Sequence, residues 1–117
     1  MKLCIRLEDV CMEVSKSDWK LFRSSIAEWQ ENYMERLVKE YIDLLKGEGN
    51  ASDKFWNLEE RIKRDRKNPG VLIELRKSNM IYDIVSLINL GVISKDDLDG
   101  FSDDLKEKVD FIISKEW

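Results

Sequence analysis

The sequence predicts an all-α fold: a small bundle of four or five helices in a single domain, 1–117, arranged around a central helix at about 69–90. Three observations point there. One proline and five glycines among 117 residues leave little punctuation, and with 38% charged residues they favour long helices over a many-turned β fold. Apolar residues between 18 and 46 recur at steps of three and four, the spacing of one helical face. The stretch NPGVLIELRKSNMIYDIVSLINLGVI, Asn68 to Ile93, carries a start signal, a stop signal and an apolar interior.

Residues 2–14 fit two readings. Leu3, Ile5 and Leu7 alternate as in a strand, whereas Leu3, Leu7, Val10, Cys11 and Val14 also fit helical spacing. A lone strand would need a partner from another subunit and would make this segment a dimerisation arm.

Ser15 and Ser17 are candidate caps for a helix over 18–46, and Asp18 in its first turn suits the positive end of the dipole. Its stripe is Trp19, Phe22, Ile26, Trp29, Tyr33, Leu37, Tyr41 and Leu44, widened towards the end by Met34, Val38, Ile42 and Leu45. Glu35 with Lys39, and Arg36 with Glu40, have the spacing of opposite-charge pairs on the polar side. Gly47-Glu48-Gly49-Asn50 then breaks the chain and reverses it, and Asn50 or Ser52 caps a shorter helix over 53–67 with Phe55, Leu58 and Ile62 on one side.

In the central helix Asn68 serves as N-cap and Pro69 takes the first helical position, where its missing donor costs nothing. Gly91 closes the far end in the left-handed conformation, with Val92 packing back, for a rod of roughly 33 Å. Met80, Ile81, Ile84, Val85, Leu87 and Ile88 spread too widely for a surface helix, so this half is expected to touch more than one neighbour. Ser94 and Asp97 stand at capping-box spacing before one short turn that stops at Gly100. Ser102 caps a last helix over 103–115, with Leu105, Val109, Ile112 and Ile113 inward.

Several kinds of chemistry lose support. With no histidine in the chain, the usual neutral-pH general base and the triads built on it are missing, so an enzyme is not expected. Cys4 and Cys11 form no CxxC pair, which argues against a disulfide framework or a thiolate zinc site and favours a reducing, cytoplasmic setting. Glu28, Glu31, Glu35 and the Glu59-Glu60 pair could hold Mg²⁺, but the first three lie opposite the aromatic stripe, where a solvated face is expected. An alignment of 95–106 to a calcium loop puts lysines at its first and last ligand positions. A helix-turn-helix reading of 84–100 would press three aspartates against phosphates. No cofactor or metal is therefore expected. The N-terminus has no uncharged signal core, and the longest uncharged run, Ile84 to Ser94, is short of the ~20 residues a membrane span needs.

Two surfaces remain as candidate sites. Trp19, Phe22, Trp29, Tyr33, Met34, Val38, Tyr41, Ile42 and Leu45 form a candidate partner interface, because a helix this long in so short a chain finds too little of itself to cover both apolar sides. A homodimer is the expected result. Arg61, Lys63, Arg64, Arg66 and Lys67 form a candidate anion contact, weakened by a net charge of −4 and by intervening Glu59, Glu60 and Asp65. The reading is thus a helical protein-interaction and oligomerisation module. A nucleic-acid- or polyanion-binding regulator is the alternative, and a metal-dependent hydrolase comes third.

The segments FWNLEERIKRDRKNPGV and SNMIYDIVSLINLGVISKDDL resemble a group of short uncharacterised helical proteins of Gram-positive bacteria, some of which carry transporter labels. The likeness covers about half of the chain and contains no catalytic motif, so it implies a helical fold and transfers no functional residue.

Overall fold

Helix α1 (Lys16–Lys46) begins where Ser15 can satisfy a free backbone N–H. In the computed structural model, which describes residues 13–116, the Ser15 hydroxyl accepts from the Asp18 N–H at 3.0 Å. The helix then runs 31 residues, about 46 Å, to Lys46. Gly47 to Asn50 turn the chain back, with Gly49 at φ 132°, a conformation that side chains resist. Asn50 caps α2 (Ala51–Asp65) by accepting from the Asp53 N–H at 2.9 Å. α2 lies antiparallel to the second half of α1, so that Arg61 meets Glu40 and Asp65 meets Tyr41.

The stretch expected to be one helix over 69–90 is divided. Its capping chemistry forms: the Asn68 side-chain oxygen accepts from the Gly70 N–H at 2.7 Å, and the Asn68 carbonyl accepts from Val71 and Leu72. Only one turn follows. Residues 72–76 have no regular structure, and helix resumes as a short 3₁₀ turn, Lys77–Asn79, leading into α3 (Met80–Asn89). Gly70, Val71 and Ile73 are weak helix formers, so a nucleated turn gains little by propagating. Contacts with α1 hold the turn instead. Gln30 Nε2 donates to the Pro69 carbonyl at 3.0 Å and Asn68 Nδ2 donates to the Tyr33 hydroxyl at 3.1 Å. Gly70 sits so close that a Cβ there would lie 2.6 Å from Tyr33 Cδ2 and 2.7 Å from Val92 Cγ2.

The shorter central helix is enclosed as the sequence predicts, with Met80, Ile81, Ile84, Val85 and Leu87 all buried. It ends at Leu90. Gly91 takes φ 78°, its N–H bonds to the Ile88 carbonyl and that of Val92 to the Leu87 carbonyl, the paired pattern that satisfies a helix's last acceptors. Arg36 Nη2 donates to the Gly91 carbonyl at 2.7 Å, a cation set against the negative end of α3. Arg36 and Glu40, expected to pair with each other, thus bond to α3's C-terminal turn and to α2.

A 3₁₀ turn at Lys95–Leu98 follows, where the Ser94 N–H donates to the Asp97 carboxylate at 2.9 Å. Then comes α4 (Asp103–Glu116). Phe22, Ile26 and Trp29 of α1 meet α3, the Val92–Phe101 connection and Leu105, Val109 and Ile112 of α4 in one core. Asp18 fastens that core at its edge. The carboxylate is buried, accepting from the Ser102 N–H at 3.0 Å and from the Ser102 hydroxyl at 2.6 Å, while that hydroxyl accepts from the Leu105 N–H and so caps α4. The described residues are therefore helical without strands, as the sequence predicts. The helix-or-strand choice for 2–14 falls on residues outside those described, apart from Glu13 and Val14, which lie in neither.

Asp83 on α3 is an exception to the well-satisfied core. Its Oδ2 is buried with no hydrogen-bond partner among the described residues, and burial pushes its pKa from 3.8 up to about 6. A folded-state value above the unfolded one gives stability that is complete below about pH 4 and is lost as pH rises through 6. Asp83→Asn is therefore expected to raise the free energy of unfolding at pH 7.5 by about 1 kcal/mol, discounted for partial solvent screening, and to change it little at pH 4. Urea titrations at the two pH values measure the difference.

Candidate functional site

The molecule measures 63 × 25 × 22 Å, elongated because α1 runs past the core with α2 beside it. That division splits the aromatic stripe. Phe22 and Trp29 lie inside the core, and Trp19 and Tyr33 pack partly buried against it, so the first half of the face covers the protein's own interior. Any partner surface on α1 begins after Tyr33. Met34 is half-buried there, while Val38, Ile42 and Leu45 are exposed within an arc of about 60°.

α2 matches that face from the other side. Phe55, Leu58 and Ile62 share an arc of about 60°, and none is buried. The only buried residue of α2 is Asp65. Phe55 is 63% exposed and Trp56 61%, the two rings meeting edge-on at 4.8 Å. We term this two-helix projection, the second half of α1 with α2, the arm.

Between its helices the arm holds a cleft of about 190 Å³, walled by Met34, Leu37, Val38, Tyr41, Ile62 and Val71 and bordered by Asp65 and Arg66. Asp65 locks the base of the arm. Its Oδ2 accepts from the Tyr41 hydroxyl at 2.5 Å, its Oδ1 accepts from Arg64 Nε and Nη2 at 3.3 and 3.2 Å, and Arg61 Nη2 lies 3.9 Å away. Arg61 also donates to Glu40 at 2.6 Å and stacks 5.5 Å over the Tyr41 ring. Burial first, then the hydrogen bond and the charge of Asp65, push the Tyr41 phenol up to about 12 against the opposing pull of Arg61 and Arg64, so it stays a donor.

That lock decides how the basic segment is used. Arg61 and Arg64 answer Asp65 and Glu40, and Lys63 lies 3.7 Å from Glu59. Lys63, Arg66 and Lys67 surround, with Leu72, an open hollow of about 760 Å³. The five cations therefore do not make one undivided patch. Nor do three or more metal-ligating side chains come together among the described residues.

Sequence reasoning named Val38, Ile42 and Leu45 and passed over Trp56 and the role of Asp65. The signal for Trp56 was its place beside Phe55 at the start of a short amphipathic helix. For Asp65 there was none, since a carboxylate within a basic run reads as surface charge.

Comparisons with protein-family models, curated proteins and solved structures return no match for this chain. Among the described residues no helix is long and apolar enough to cross a membrane.

Proposed function

We propose that this chain is a helical protein-interaction and oligomerisation module, and that its docking surface is the arm. One observation carries the reading: α2 is amphipathic, yet no apolar residue of it is buried. An isolated helix of 15 residues is marginal in water, and most helices owe their stability to packing an apolar face. Here that packing is incomplete within the chain, and exposed clustered aromatics are the residues that dominate association energetics.

The polyanion alternative has less support, because two of its arginines are engaged by carboxylates at the base of the arm. A photo-crosslinking residue at Ile42, compared with one at Leu90, tests the docking surface in the producing cell. Leu90 is a fair control, being 51% exposed, apolar and at the end of α3 rather than on either helix of the arm. A discrete adduct is expected from position 42 and not from 90. Absence of an adduct at 42, or equal yield at both positions, would refute the reading.

A further inference from the structure

Resting on that reading, we propose that the arm's occupant is a second copy of this chain, packed antiparallel across a twofold axis so that Phe55 of each copy enters the cleft of the other. Area is the first argument. Val38, Ile42, Leu45, Phe55 and Ile62 are between 39% and 63% exposed, and with Trp56, about 100° further round α2 and held edge-on against the Phe55 ring at the border of the face, they amount to about 600 Å² of apolar surface. That is the upper end of what a monomer carries, while two such faces together reach the roughly 1,200 Å² at which specific interfaces begin.

Architecture is the second. Two antiparallel helices exposing one apolar face are half of a four-helix bundle, and a copy of the same half completes it. The third argument is that knob and hole lie on the same chain. Ile62 walls the cleft and sits seven residues from Phe55, about 10 Å along α2 and about 20° around it, so the ring leaves the helix on the side where the cleft opens. A twofold axis passing between them, near the level of Leu58, seats both rings at once. An isologous contact satisfies such a pair twice, where a foreign protein would have to bring its own ring and its own cleft. The cleft's lining is almost wholly apolar, the Asp65 carboxylate at its border is already held by Tyr41, Arg61 and Arg64, and Arg66 beside it is exposed to water, so an entering ring strands no carboxylate.

The full chain, purified and weighed by light scattering and sedimentation, is expected at twice its 13.9 kDa. Phe55→Ala is expected to raise the dimer dissociation constant at least about 30-fold, and Leu90→Ala to leave it unchanged. In a Cys4→Ser/Cys11→Ser background, Phe55→Cys combined with Val38→Cys is expected to give a disulfide-linked dimer on mild oxidation. Within one chain Val38 lies level with Ile62 in the cleft wall, so position 55 is about 10 Å further along the arm and on the neighbouring helix, too far to bridge. A monomeric mass at about 1 mM, with the adduct at position 42 formed to a different protein, overturns the second copy and leaves the arm as a docking surface. A dimer that resists Phe55→Ala and forms no 55–38 bond overturns the ring-in-cleft arrangement. Losing the adduct at 42 as well removes the docking surface itself.

Discussion

Phe22→Ala is expected to cost 3–5 kcal/mol of folding free energy and to leave the protein close to unfolded at 37 °C. The ring is fully buried and central to a row of aromatic contacts: Trp19 at 6.1 Å, Trp29 at 6.0 Å, and beyond Trp29 the Phe101 ring at 6.2 Å. Its neighbours come from α1, α3, α4 and the Val92–Phe101 connection, elements that cannot all move inward to fill the space it leaves. The cavity term therefore adds to the lost transfer energy. Denaturant unfolding followed by tryptophan fluorescence and by helical circular dichroism measures it. The substitution also separates the two halves of the stripe, because Ile42→Ala, on the exposed half, is expected to change stability of the isolated chain by less than about 1 kcal/mol.

Asp18→Ala is expected to cost about 2–3 kcal/mol, far more than an ordinary first-turn aspartate near a helix dipole contributes. The buried carboxylate accepts twice from Ser102, so its removal frees a backbone N–H and a hydroxyl at the start of α4, and it unfastens α1 from a residue 84 positions away. Ser102→Ala removes the hydroxyl from the same arrangement together with the cap on the Leu105 N–H. A double-mutant cycle is expected to show strong non-additivity, with a coupling of about 1–2 kcal/mol. Additive losses would mean that Asp18 acts only on its own helix.

Features that depend on neighbouring residues were readable. Ser15, Asn50 and Gly91 cap or end helices as their chemistry dictates, and Ser94 with Asp97 forms the expected local bond. The break at 72–76 was not readable, because Asn68 and Pro69 truly start a helical turn, and weak propensity at Gly70, Val71 and Ile73 ends it only where Tyr33 and Gln30 of another helix hold that turn in place. Periodicity likewise marks Phe22 and Ile42 as members of one face. It carries no information on which of them the rest of the chain covers. The pairing of Asp18 with Ser102 and of Tyr41 with Asp65 arises only once distant segments are brought together, and no local spacing foretells it.

α1 serves two tenants. Its first half is held by α3 and α4, whereas beyond Tyr41 it has α2 beside it and no part of the α3–α4 core, so substitutions towards its two ends are too far apart to couple. Side chains on the exposed face of the far end can therefore be exchanged without renegotiating how the chain folds at the other.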